Sequence, residues 1–136
     1  MVIVVLVYSF CGSIVNLRRV SKGTLISYGG VYKTSKDTNI GVIQTGFADG
    51  LPRPWYEKGY VHYLGNEYKI AGRICMDQLM IDFGETVPKI GDEVLFFGEH
   101  NLGNIPVETI AENINSTPYV LLTAIGGRTK YIYLDN

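Results

Sequence analysis

Apolar residues recur along this chain mostly at period two, in runs too short for helices. Ile40, Val42 and Ile43 mark an apolar strand over Asn39 to Thr45. Tyr60 to Leu64 and Glu67 to Ala71 flank Gly65-Asn66, the pattern of a β-hairpin with a two-residue turn. Glu93 to Phe97 is a short apolar strand, and Lys130-Tyr131-Ile132-Tyr133 alternates as a half-buried closing strand does. Ser13 to Val20 has a mixed pattern with the Arg18-Arg19 pair near its end, which predicts an edge strand. Helical spacing is clear once, at Val107, Ile110, Ala111 and Ile114, with Pro106 at the first turn. Thr117-Pro118 reads as N-cap and N1 of a second short helix over Tyr119 to Ala124. The prediction is a mainly β domain: a small closed or nearly closed β-barrel of short strands, with one or two short helices near the C-terminus.

Glycine and proline punctuate these runs. Gly29-Gly30 bends the chain just after Tyr28, and Gly46 and Gly50 frame a second corner holding Phe47, Ala48 and Asp49. Leu51-Pro52-Arg53-Pro54-Trp55 carries two prolines within three residues, which predicts an irregular loop. Met1 to Phe10 is almost wholly apolar. It lacks the basic start of a secretory signal and falls short of the ~20 residues of a spanning helix. Residues 1–12 therefore read as an apolar extension or first strand, and 13–136 as one β-domain.

Composition narrows the function classes. A chain of 136 residues is long enough for one domain with a real core. A net charge of −1 leaves no footprint for nucleic acid or for an anionic membrane. Two cysteines are too few for a disulfide scaffold, so reduced thiols and a cytoplasmic setting are expected.

The candidate chemistry centres on Gly72 to Asp82. Apolar Ile74, Met76 and Ile81 flank Arg73, Cys75, Asp77 and Gln78, which places polar groups in what reads as core. Tyr28 stands at a Gly-Gly corner, but a phenol is a usable base only when its pKa, ordinarily near 10, is depressed; packing is the simpler role. Asp49 suits a turn cap. Arg53 and Arg73 each suit either a bidentate carboxylate contact or a salt bridge. His62 and His100 have no companion at ligand spacing, so no metal site is expected.

Three segments in order, Ile26-Ser27-Tyr28-Gly29-Gly30, Thr45-Gly46-Phe47-Ala48-Asp49-Gly50 and Gly72-Arg73-Ile74-Cys75-Met76-Asp77-Gln78, resemble the C-terminal β-domain of alanine racemases. These are pyridoxal-phosphate (PLP) enzymes that interconvert L- and D-alanine. The likeness runs from about Ser13 to the C-terminus and includes Ile105 to Ile114, Pro118-Tyr119 and Arg128 to Tyr133. It implies that Tyr28 moves the α-proton on one face of a PLP-stabilised carbanion, while a PLP-bearing lysine serves the other face. It further implies that the Met76 backbone N–H meets the substrate carboxylate, that Tyr119 contacts the cofactor phosphate, and that Phe47, Arg53 and Arg73 line the substrate corridor. Phe47 departs from the family's usual tyrosine.

In the family the cofactor lysine lies in an N-terminal TIM-type barrel of ~250 residues, within an apolar-Lys-Ala-Asn-Ala-Tyr-Gly motif. None of the seven lysines here has that setting. The resemblance thus implies half of a shared site, with a racemase barrel domain and a homodimer partner completing it, and a chain inactive alone. Two rivals stand beside it: a stand-alone β-barrel binding or interaction module without catalysis, and a racemase for another amino acid.

Overall fold

A computed structural model of the chain describes residues 9–26, 32–100, 103–106, 109–110 and 112. Among the described residues nine strands follow one another: β1 (Phe10–Val20), β2 (Leu25–Ile26), β3 (Tyr32–Lys33), β4 (Thr38–Ile43), β5 (Tyr60–Tyr63), β6 (Asn66–Ile70), β7 (Leu79–Gly84), β8 (Glu93–His100) and β9 (Gly103–Ile105). Their order in the main sheet is β1-β4-β7-β6-β5-β8-β9, and β1 also pairs with β8, so six antiparallel strands close into a barrel. The mainly β, closed architecture is the one expected.

Closure depends on β1. Its first residues pair with β8 (Cys11 opposite Leu95, Gly12 opposite Val94), and its later ones with β4 (Leu17 opposite Gly41, Arg19 opposite Asn39). Of the edge strand expected over Ser13 to Val20, Ser13 pairs with Glu93 of β8 and the ladder from Ile14 to Val20 runs against β4. That expectation missed Phe10, Cys11 and Gly12, whose apolar run hid the half of the strand that meets β8. Gly12 allows the tight passage, because a Cβ there overlaps Thr45 Oγ1 and the side chains of Phe96 and Ile43.

Alternation decides what faces inward. On β7, Leu79, Ile81 and Phe83 are buried, while Met80 and Asp82 face outward and are half-buried. The interior is filled by Ile14, Ile43, Val61, Ile70, Ile81, Phe83, Val94 and Phe96 among others, and Phe10 stacks on Phe97 with centroids 5.4 Å apart. Burying each large side chain is worth about 1.5–3 kcal/mol, and this apolar interior is what holds the barrel. A second, smaller cluster lies outside, where Ile26 of the β2–β3 hairpin packs with Ile40 and Ala71.

Three local expectations change. The β5–β6 turn is Leu64-Gly65, one residue earlier than expected, with Tyr63 opposite Asn66. Both turn residues have positive φ, 50° and 82°, as a type I′ hairpin turn requires. Arg53–Glu57 forms a short 3-10 turn instead of an irregular loop, with Pro52 as its N-cap and Pro54 within its first positions, where a missing N–H costs nothing. Arg73, Met76, Asp77 and Gln78 are exposed on a loop before β7, and only Ile74 of this segment enters the core. Of the first expected helix, Thr109, Ile110 and Glu112 are helical; the second helix and the closing strand lie outside the described residues.

Candidate active site

Two glycine-framed segments meet at one corner of the barrel. Gly46 leads into a 3-10 turn, Phe47–Asp49, closed by Gly50 in the left-handed region at φ 111°. Asp49 caps it: its Oδ2 accepts the Gly46 N–H at 3.0 Å. This is the turn-capping role that local Asp chemistry favours. The turn is then laced to the loop before β7. The Phe47 N–H donates to the Cys75 carbonyl and the Ala48 N–H to the Met76 carbonyl, both at 3.0 Å. The loop closes on itself through Cys75 N–H to the Gln78 carbonyl, also 3.0 Å. No side chain fits at Gly46, where a Cβ sits on the carbonyl oxygens of Cys75 and Met76.

Backbone groups do most of the holding, with Phe47 half-buried against the core and Met76 exposed. Arg53 comes from the neighbouring 3-10 turn, which Trp55 anchors in the core at 0% exposure. Its guanidinium carbon lies 4.7 Å from the centroid of the Phe47 ring, a cation–π contact. Met76 is 55% exposed, and its carbonyl accepts the Ala48 N–H. Arg73 is exposed three residues before it. The structure thus brings together Phe47, Arg53 and Met76, with Arg73 on the same loop. Tyr28 and Tyr119 lie outside the described residues.

The shifted phenols among the described tyrosines are all raised, and those of Tyr32 and Tyr63 donate to carboxylates. Burial first, then a hydrogen bond to Asp82, pushes the Tyr32 phenol far above its ordinary value. Tyr63 is raised by burial and by its 2.6 Å bond to Asp92, and Tyr60 by burial and Glu67. Burial, with Glu93 adding repulsion, lifts the Cys11 thiol to about 11, so it is inert at neutral pH. No group of three or more metal-ligating side chains occurs among the described residues.

A guanidinium such as that of Arg53, exposed beside the Phe47 ring, is a group that pairs with carboxylates. Covalent attachment of PLP takes an amine, and neither corner segment contains a lysine. These two segments therefore do not supply the attachment of the cofactor.

Sequence reasoning overlooked Asp82, which accepts hydrogen bonds from Tyr32, Thr38 and the Gly84 N–H. An outward-facing carboxylate in mid-strand was the available signal. Its two hydroxyl donors are 50 and 44 residues away along the chain, so no local pattern could name them.

A family model described as alanine racemase, C-terminal domain, matches residues 7–133. The alanine racemase of Desulfosudis oleivorans is 37% identical over 129 residues, 93% of this chain and 33% of that protein. That of Thermodesulfovibrio yellowstonii is 38% identical over 122 residues, 89% of this chain and 34% of that protein. This chain spans about a third of the length of these curated relatives. Among solved structures, alanine racemase from the D-cycloserine producing Streptomyces lavendulae superposes with a TM-score of 0.87 at 34% identity, covering 94% of this chain and 34% of that one. The Bartonella henselae enzyme, described with covalently bound pyridoxal phosphate, gives a TM-score of 0.85 at 30% identity, covering 93% of this chain and 34% of that one. No described helix is long and apolar enough to cross a membrane.

Proposed function

The chain belongs to the family of alanine racemase C-terminal domains, and on that premise we propose that it serves as the β-domain of an alanine racemase. In this reading it works with a barrel domain that carries PLP on a lysine, and it reaches into the site of a partner subunit. The reaction interconverts L- and D-alanine. When bound, PLP supplies an electron sink for the charge left at the α-carbon.

The observation that carries the reading is the laced corner. Two backbone hydrogen bonds fix Met76 beside Phe47, and Phe47 holds Arg53 across its ring. The Met76 N–H then orients the substrate carboxylate, a charge-assisted bond stronger than a neutral one. Arg53 and Arg73 draw the anionic end of an amino acid along the corridor. Phe47 lacks the hydroxyl of the family's usual tyrosine, yet its ring keeps the corridor wall and positions a cation. Tyr119 meets the cofactor phosphate.

Tyr28 moves the proton. Its Oη takes the α-proton on one face, and racemisation needs a second base, the barrel lysine, on the other. A phenol does this near neutrality only with its pKa lowered by a cation or a hydrogen-bond chain, which the assembled site must provide. The test is Tyr28→Phe in the enzyme assembled from this chain and a PLP-loaded family barrel. Racemisation is expected to fall by about 10²–10⁴-fold with PLP still bound; a variant that racemises at the parent rate overturns the role of Tyr28.

A further inference from the structure

Resting on the reading of the Met76 N–H as the group that meets the substrate carboxylate, we infer that Asp49 is a positioning residue for that contact: its side chain fixes the turn that sets the direction of the Met76 N–H. The 3-10 turn at 47–49 starts from a residue that has no means of capping it. A Cβ at Gly46 lands on the carbonyl oxygens of Cys75 and Met76, so the Ser, Thr, Asp or Asn usual at this position is excluded. The capping oxygen comes instead from within the turn, three residues on. Asp49 Oδ2 accepts the Gly46 N–H at 3.0 Å, and the Asp49 N–H donates to the Gly46 carbonyl at 3.0 Å. Gly46 is buried. Removing that oxygen takes the partner of a buried donor away, and the turn has to shift to find another.

The turn passes its orientation to the loop before β7. The Phe47 N–H donates to the Cys75 carbonyl and the Ala48 N–H to the Met76 carbonyl, each at 3.0 Å. The first bond bears directly on the Met76 N–H, because that N–H and the Cys75 carbonyl belong to one peptide group. The group is trans, and in a planar trans peptide C=O and N–H point in opposite directions. With its carbonyl aimed at Phe47, the peptide directs the Met76 N–H away from the turn. A hydrogen bond at the carbonyl also polarises the group and strengthens the N–H as a donor.

Side-chain packing alone does not set this direction. Ile74 and Leu79 are buried on either side of the stretch, which pins the ends of the loop. The plane of the peptide between them follows the hydrogen bonds. The Cys75 N–H to Gln78 carbonyl bond is internal to the loop, whereas those from Phe47 and Ala48 tie it to the corner. Their turn is closed at its start by Asp49 and at its end by Gly50, whose N–H donates to the Phe47 carbonyl at 3.1 Å. Hydrogen bonds weaken steeply once the donor angle falls below about 120°, so a tilt of this one peptide is enough to lose a carboxylate. Asp49 acts through Gly46 and Phe47 and need not touch the substrate.

The test uses the enzyme assembled from this chain and a PLP-loaded family barrel. Asp49→Ala removes the capping oxygen, Asp49→Asn keeps one and removes the charge, and Gly46→Ala is the control that parts the lacing directly. For Asp49→Ala, KM for alanine is expected to rise about tenfold with kcat unchanged within about twofold, the signature of a contact made equally in ground and transition states. Asp49→Asn should stay within about threefold of the parent KM. A mere loss of folded enzyme lowers the apparent kcat and leaves KM where it was. In the chain without its barrel, hydrogen exchange at the Phe47 and Ala48 amides should quicken about tenfold in Asp49→Ala, while the ladder amides between β4 and β7 keep their protection. A parent-like KM in Asp49→Ala, beside a raised KM in Gly46→Ala, overturns the role of Asp49. So does a KM raised as far by Asp49→Asn as by Asp49→Ala. A parent-like KM in a Gly46→Ala enzyme whose Phe47 and Ala48 amides exchange faster overturns the reading of Met76 as the carboxylate site, and the inference with it.

Discussion

The barrel interior and the corner at 46–50 are built by opposite means. Inside, side chains do the holding: Phe96, Ile43, Ile81 and Val61 are fully buried and contribute area. At the corner, backbone does it: Phe47 and Ala48 donate to the carbonyls of Cys75 and Met76, and Gly46 has no side chain to interfere. The difference shows how one small domain can be both rigid and reactive. Stability inside comes from apolar side chains, whereas at the corner it comes from backbone hydrogen bonds together with the Asp49 cap.

The comparison breaks first, and hardest, in the core. Phe96→Ala should cost about 3–5 kcal/mol, seen as a lowered denaturation midpoint with no specific defect in substrate binding by the fraction that remains folded. Gly46→Ala strikes the corner instead. Its Cβ meets backbone oxygens that have no rotamer to escape into, so the lacing must part. A smaller stability loss of about 1–3 kcal/mol is expected, with KM for alanine in the assembled enzyme raised at least about tenfold.

Arg53→Met sharpens the contrast from the other side. An exposed cation–π pair contributes only about 0.5–1 kcal/mol, so thermal unfolding should barely move while KM for alanine rises. Alkali probes the interior in a graded way. The folded Cys11 thiol titrates near 11 against an ordinary 9.0. The neutral thiol's contribution is therefore complete below about pH 9 and fades as pH climbs toward 11. Melting temperature should hold up to pH 9 and then decline, and Cys11→Ala should flatten that part of the decline. Least of all should come from Arg19→Ala. Its 3.2 Å pair with Glu85 joins side chains 50% and 70% exposed, worth roughly 0–1 kcal/mol. Salt should erase even that.

The barrel was legible because its strands alternate. Ile40, Val42 and Ile43, or Glu93 to Phe97, advertise buried strands by composition and period alone. The half of β1 that meets β8 was hidden, because Phe10 to Gly12 continue an apolar run with no period to mark where pairing begins. The turn at Leu64-Gly65 was displaced because Leu64 takes a positive φ of 50°, a conformation that leucine seldom adopts. At the corner, the glycines and the turn-capping aspartate could be read locally. The lacing of 47–48 to 75–76 could not, since backbone pairing over almost thirty residues leaves no mark on side-chain pattern. The polar set at 73–78 was expected in the core because Ile74 and Ile81 frame it. In the folded chain the Cys75–Gln78 turn lifts that set into solvent. Asp82 escaped for the same reason as the lacing: its two hydroxyl donors are distant in sequence.

The most direct measurement of the half-site reading is loss of the α-proton of L-alanine in D2O, followed by NMR. Three samples are compared: the chain with PLP, a PLP-loaded family barrel domain, and the two combined. Exchange well above the single components is expected only in the mixture, and Tyr28→Phe should abolish it. Tyr28-dependent exchange by the chain and PLP alone, or none in a mixture shown to associate, would contradict that reading.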